Sequence, residues 1–116
     1  MNTLGMLYAD EILGSAGLLE FPHLEYTERF KRDFAARDKK VKAMVLSALA
    51  KVSVLFDGGR VDLLKSDGGL QYGDLKGDSG VGHFRVNLSW RITCKVVGPK
   101  LQLRRVGSHD EIQKSP

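Results

Sequence analysis

The fold is decided by residues 83–97, whose sequence is HFRVNLSWRITCKVV. Its apolar residues recur at every second position, which is the period of a β-strand with one buried face. These residues are Phe84, Val86, Leu88, Trp90, Ile92, Cys94 and Val96. Gly98-Pro99 then predicts a turn into a further strand, with Leu101 and Leu103 inward. The C-terminal part is therefore predicted to be a three-stranded antiparallel meander.

Ahead of the meander, residues 27–56 have apolar side chains at helical spacing and predict two helices with a break near Arg37. Thr27 and Asp38 are suitable N-caps, and Gly58-Gly59 would end the second helix. A short connection predicts an antiparallel pair of helices.

Residues 18–26 contain Pro22, which is tolerated in an edge strand. Residues 57–82 hold eight of the 13 glycines and predict a long mobile connection with a short strand at residues 61–64. We expect an α+β fold with an N-terminal edge strand and with two antiparallel helices that pack on one face of the meander. Residues 1–17 would form an acidic extension, disordered or as a short helix, and residues 18–116 a single domain.

The charge is unevenly distributed along the chain. The first 25 residues hold four of the 14 acids and none of the 18 lysines and arginines, so the rest has a formal charge of +8. The chain contains one cysteine, Cys94, and no long apolar run. A cytoplasmic protein without a membrane span is the expectation.

The outward face of the meander has an unusual composition. Between His83 and His109 the chain has six basic residues and no carboxylate. Such a surface favours a polyanion, and arginine matches phosphate oxygens well. The six are Arg85, Arg91, Lys95, Lys100, Arg104 and Arg105. Strict alternation turns Arg105 inward, so it lies at a sheet edge or a bulge re-aims it.

The same absence of carboxylates argues against metal catalysis, because hard cations need such ligands and two histidines alone make a poor zinc site. No cofactor is expected. RNA can be cleaved without one, since its 2'-hydroxyl is a nucleophile that needs only a base, an acid and cations. His109 is the best candidate for proton transfer, and His83 is a second. Each could equally be an inert surface histidine, and Arg85 and Arg91 could be a solvated strand face.

Several segments resemble the RelE/ParE superfamily of toxins. They are residues 25–30 (EYTERF), 75–78 (LKGD), 82–86 (GHFRV), 90–93 (WRIT) and 106–112 (VGSHDEI). The resemblance covers about residues 19–112. It implies a type II toxin–antitoxin toxin that cleaves mRNA in the ribosomal A site, is silenced by a cognate antitoxin, and meets operator DNA only within the antitoxin complex.

The resemblance also assigns residues. His109 matches a catalytic histidine of the YafQ branch, and Arg85 and Arg91 match basic residues that hold the scissile phosphate. Apart from the resemblance, we expect His83 to assist catalysis or to position the RNA. RNA contacts are expected from Lys76, Asn87, Lys95, Arg104 and Arg105.

This sequence departs from the family pattern at three places. The position around Gln113 lacks the reactive tyrosine of many relatives, Asn87 stands where a second basic residue is usual, and four residues after Ile112 leave no room for a final helix. Two other functions remain open. One is a ParE-like inhibitor that binds DNA gyrase without catalysis, and the other is a basic RNA-binding module without activity.

Overall fold

The computed structural model describes residues 17–56, 60–75 and 80–116. The expectation for the acidic extension falls on residues 1–16, outside the described residues. The same holds for the stop signal Gly58-Gly59 and for Lys76.

A five-stranded mixed sheet forms the centre of the fold, in the order β1-β5-β4-β3-β2. Its strands are β1 (Leu24–Tyr26), β2 (Gly73–Asp74), β3 (Val81–Arg85), β4 (Trp90–Val97) and β5 (Lys100–Ser108). Strand β1 is parallel to β5, and the other pairs are antiparallel. The edge strand and the meander are confirmed. Strand β1 is shorter than expected, because Pro22 and the positive φ of His23 lie just before it.

Two helices follow β1, as the sequence predicts: α1 (Glu28–Ala35) and α2 (Lys39–Leu55). The Thr27 hydroxyl accepts a hydrogen bond from the backbone N–H of Phe30 at 3.1 Å, and the Asp38 carboxylate accepts one from Val41 at 2.9 Å. Both N-caps are therefore confirmed. Such caps contribute about 1 kcal/mol each.

One hydrophobic core joins the helices to the sheet. Fully buried members include Phe30, Phe34, Val45, Leu49, Phe84, Ile92, Cys94 and Leu103. Burying such a side chain contributes roughly 1.5–3 kcal/mol. The helices thus cover one face of the sheet. The candidate site residues lie on the opposite face.

The predicted strand at residues 61–64 is wrong. The chain forms a short helix there, α3 (Asp62–Ser66). Only Leu64 is fully buried, whereas Leu63 is exposed, and a short apolar run does not distinguish the two structures.

The alternation across residues 83–90 also extends less far than predicted. Strand β3 ends at Arg85, and the Asn87 carboxamide oxygen accepts hydrogen bonds from the backbone N–H groups of Ser89 and Trp90 at 2.9 and 2.8 Å. This side-chain turn takes Leu88 out of the sheet, so it is 83% exposed instead of inward. Val96, near the Gly98-Pro99 turn, is likewise exposed instead of buried.

A β-bulge lies in β5. Thr93 pairs with Arg105 while the next residue, Cys94, pairs with Leu103, so Arg104 is the extra residue. The bulge re-aims Arg105 to the face of Thr93, which was one of the two alternatives.

The chain ends in a helix, α4 (His109–Lys114), so the expectation of no room for a final helix is wrong. Ser108 forms a reciprocal capping box with Glu111. Ile112 is fully buried and packs over Gly107. The Thr93 hydroxyl donates to the backbone oxygen of Pro116 at 3.2 Å, and Thr93 is buried. The second sheet face, expected to be open, is therefore covered in part by α4.

None of the described helices has the length and apolar character needed to cross a membrane.

Candidate active site

The register of the sheet brings the predicted catalytic residues of β3 and β4 to one face. Arg85 pairs with Arg91, and His83 pairs with Thr93, which in turn pairs with Arg105. Directly paired residues of antiparallel strands project to the same side. His83, Arg85 and Arg91 therefore share the sheet face on which α4 lies, opposite the two long helices.

Arg91 is held in place by the β3–β4 loop. Its Nη1 donates to the backbone oxygens of Asn87 at 2.7 Å and Trp90 at 3.2 Å. Partial burial, and then the neighbouring Arg85 cation, lower the pKa of Arg91, although an arginine stays charged. Two like charges held next to each other on a ladder are costly unless an anion neutralises them.

His83 is half-buried beside this pair. Its Nδ1 is buried and has no hydrogen-bond partner among the described residues. Burial is the main cause that lowers the pKa of His83 from 6.5, and the charges of Arg91 and His109 lower it further, while Asp74 opposes them. The lowered pKa favours the neutral imidazole, which is the form that can accept a proton.

His109 belongs to the same site but lies on the C-terminal helix α4. It is the first residue of α4, its side chain is exposed, and its Nδ1 lies 3.8 Å from a carboxylate oxygen of Asp110. Because its charge acts on His83, the two imidazoles belong to one electrostatic site. The capping box of Ser108 fixes where the helix begins, and so where His109 stands.

A cavity of about 330 Å³ adjoins His83. Asp74 and Leu75 line it at the edge strand, and Gln113 lines it from α4. Gln113 is one helical turn beyond His109, so both project from a similar side of the helix. This cavity has room for part of a nucleotide-sized ligand beside His83.

The residues predicted to contact RNA are more dispersed. Arg105 forms a two-pronged ion pair with Asp33 of α1, at 2.9 and 3.1 Å. Asn87 uses its oxygen within the loop, and its Nδ2 donates to the Met44 sulfur at 3.3 Å. Arg104 lines a separate cavity of about 180 Å³ with Thr27 and Arg29.

Lys95 is exposed on β4, nearer the hairpin end, opposite Val81. Arg85 lies at the border of the site, because it also lines a groove beside α2.

Sequence reasoning missed three contributors. Gln113 was noted only for lacking the hydroxyl of a tyrosine. Asp33 neutralises Arg105, and Arg37 stacks its guanidinium 4.6 Å above the Trp90 ring while donating to the Val106 oxygen. The Ser108-x-x-Glu111 spacing was a visible signal for α4, whereas the partners of Arg105 and Arg37 are distant in sequence.

In the parts of the chain that the structure describes, no three His, Cys, Asp or Glu side chains form a group that could hold a metal ion.

Similar architectures occur among solved toxin structures. YafQ from E. coli is 19% identical with a TM-score of 0.59, and the match covers 78% of this chain and 97% of that one. A chain of the RelB–RelE antitoxin–toxin complex from Methanococcus jannaschii is 17% identical with a TM-score of 0.58, covering 79% and 99%.

YoeB from Staphylococcus aureus, solved as a dimer, is 15% identical with a TM-score of 0.57, covering 78% and 99%. No protein-family model and no curated protein sequence matches this chain. The matches span nearly the whole length of each toxin and agree with the element order of this sheet and its helices. The chain therefore has the fold of the RelE/YafQ-like toxins.

Proposed function

We propose that this chain is the toxin of a type II toxin–antitoxin pair and that it cleaves mRNA on the ribosome without a metal. The observation that carries the proposal is the strand register, which pairs Arg85 with Arg91 and sets His83 on the same sheet face, with His109 close enough for its charge to act on His83. Two adjacent arginines with no carboxylate partner among the described residues favour a bound phosphate, and a neutral imidazole beside that phosphate can accept a proton.

The reaction assigns one task to each group. His83, in its neutral form, takes the proton of the RNA 2'-hydroxyl, whose oxygen attacks the adjacent phosphorus. The bond to the 5'-oxygen then breaks, leaving a 2',3'-cyclic phosphate. His109 donates the proton that the 5'-oxygen needs, and Arg85 and Arg91 stabilise the charge of the phosphorane.

This assignment makes His83 more than the assistant that the sequence suggested. Its burial and its cationic neighbours favour the base role, and the exposed His109 on α4 is suited to meet the leaving group. The resemblance implies a reactive tyrosine near the C-terminus of many relatives, and none lies around Gln113, so this assignment gives proton transfer to the two imidazoles.

A cognate antitoxin is the proposed protein partner. One structural neighbour was solved as a RelB–RelE antitoxin–toxin complex, and another as DinJ–YafQ. The formal charge of +4 suits an acidic partner segment, which would associate quickly through opposite charge. Operator DNA would be bound through that complex.

Primer extension on mRNA after induction in cells tests the activity. We expect cleavage within codons for the parent, and loss of cleavage and of growth arrest for His109→Ala and Arg85→Ala. His23→Asn is the matched control, because it removes a histidine beside β1, at the opposite sheet edge, and asparagine tolerates the positive φ there.

The other outcomes are distinct. DNA damage before any fall in translation would show that the chain acts as a gyrase inhibitor and not as a nuclease. Growth arrest without either mRNA cleavage or DNA damage would indicate a basic RNA-binding module without activity. If both site variants cleave as well as the parent while folded, the assignment of these residues is wrong.

A further inference from the structure

A second recess lies on the other side of Arg85 from the histidines. Its cavity volume is about 240 Å³. One wall is a stripe of α2 that includes Met44, Ser47 and Lys51, and the facing wall includes Leu70, Arg85 and Val86. We call this recess the α2 groove. Its volume is below the roughly 300–1,000 Å³ of pockets that enclose a whole drug-sized ligand, so it suits one unit of a longer chain.

The polar groups of the α2 groove are arranged for an anion. Arg85 makes no side-chain hydrogen bond or ion pair with another described residue. Lys51 uses one donor on Asp67, at 3.0 Å, and an ammonium has three. The Ser47 hydroxyl adds a neutral donor, while Met44 and Val86 offer apolar surface.

The carboxylate of Asp67 does not cancel this preference. One of its oxygens accepts hydrogen bonds from the backbone N–H groups of Gly69 at 2.9 Å and Leu70 at 3.2 Å, and the other accepts from Lys51. The backbone N–H of Arg85 donates to the Leu70 oxygen, so the same loop is fastened to β3. Asp67 therefore organises the loop wall through its backbone hydrogen bonds, and its pair with Lys51 occupies only one of the three ammonium donors.

We propose that the α2 groove binds a nucleotide that flanks the cleavage point on the single-stranded RNA. This inference rests on the proposal that the chain acts on RNA. Arg85 belongs both to the groove and to the Arg85–Arg91 pair, so a strand bound at the histidines continues into the groove without leaving a cationic surface. Lys51 holds the flanking phosphate, and the apolar wall carries the ribose or base.

Fluorescence anisotropy with 2'-O-methyl RNA tests this placement, because the modified RNA has no nucleophile and is not cleaved. A hexanucleotide of mixed sequence is long enough to reach the groove, whereas a dinucleotide occupies the histidine site alone. We expect Lys51→Ala to weaken hexanucleotide binding, to reduce its salt slope by about 0.7, and to leave dinucleotide binding unchanged.

Two further variants separate a phosphate contact from its alternatives. Lys39→Ala removes the same charge from the start of α2, outside the groove, and should leave the salt slope unchanged. Asp67→Asn breaks the ion pair but keeps Lys51, so hexanucleotide binding should be retained or strengthened.

Three results would overturn the groove assignment: equal losses for Lys51→Ala and Lys39→Ala, a loss for Asp67→Asn as large as that for Lys51→Ala, or no loss for Lys51→Ala. Capture of an acidic peptide by the groove with no effect of Lys51 on RNA would also overturn it. If cells show no mRNA cleavage while RNA binding depends on Lys51, the nuclease proposal fails and the groove remains.

Discussion

Two arginine sites on the same sheet face have opposite environments. Arg105, on β5, is paired with Asp33 and also donates to the Ser115 oxygen, and both charged side chains are only 13% exposed. Arg85 and Arg91, on β3 and β4, pair with each other, and among the described residues the Arg91 side chain donates only to backbone oxygens. A neutralised arginine joins elements of the fold, whereas Arg85 and Arg91 have no carboxylate partner within the described ranges, and we propose that their charge serves a ligand. The difference divides the face into two parts: the structural half around Arg105, and the half around Arg85 and Arg91 in which we propose that the reaction occurs, called the functional half below.

The functional half should show the largest effect on reaction rate. Arg91→Ala should lower the cleavage rate about 10²–10³-fold, because it removes a fixed cation from the place where the phosphorane develops. The thermal midpoint should change little, since the repulsion from Arg85 disappears with the hydrogen bonds. Rates on a defined mRNA in a purified ribosome assay, with thermal unfolding of the same samples, measure both quantities.

Lys100→Ala is the matched control for this prediction. It removes one exposed cation from the hairpin end of β5 and should leave the rate near that of the parent. Equal loss of rate in both variants would mean that total charge, and not the Arg85–Arg91 pair, governs the reaction.

The structural half should respond in the opposite way. Arg105→Ala leaves the Asp33 carboxylate almost buried without its counter-ion and should lower the free energy of unfolding by about 3 kcal/mol. Replacing both partners, as in the double variant Asp33→Leu and Arg105→Leu, should recover much of that loss. Urea unfolding measures the difference in the free energy of unfolding. If the Arg105→Ala protein is as stable as the parent, Arg105 has no structural role and the two halves do not differ in this way.

The sequence predicts the functional half better than the structural half. Alternation alone places His83, Arg85 and Arg91 on one face, because the period of a strand is a local property. The ion pair of Arg105 with Asp33 joins residues 72 positions apart, and nothing local signals it. The bulge that aims Arg105 was one of two open alternatives.

Local contacts also make some elements of the fold predictable from sequence, whereas elements that depend on distant contacts are not. Thr27 and Asp38 mark the starts of their helices through bonds made within three residues, so these starts are predictable. Helix α4 gains its stability from Ile112 packed over Gly107 as well as from its cap, and that packing depends on the assembled sheet. Leu88 is exposed although the alternation of apolar residues predicts it to be buried, because the turn formed by the Asn87 side chain ends the strand before it.

Loss of the capping box at the start of α4 should have a smaller effect, and this effect should appear in both stability and cleavage rate. Ser108→Ala removes the acceptor of the Glu111 backbone N–H and should lower the free energy of unfolding by about 1 kcal/mol. Because His109 is the next residue, the cleavage rate should fall as well. Ser108→Asp, which retains a capping oxygen, should restore both stability and rate; if it restores stability alone, the cap does not position His109.

The smallest expected effect is on pH dependence, and its sign follows from the surroundings of His83. Burial and the charges of Arg91 and His109 lower the pKa of His83, so the neutral base persists below pH 6.5 and is lost only as the pH falls through the lowered value. Arg91→Leu removes one of these charges and should move the acidic limb of the cleavage profile to higher pH. The variant Lys100→Leu, which removes a distant cation, should leave the limb in place. A limb that moves to lower pH in Arg91→Leu, or that persists unchanged when His83 is replaced by glutamine, would mean that His83 is not the base.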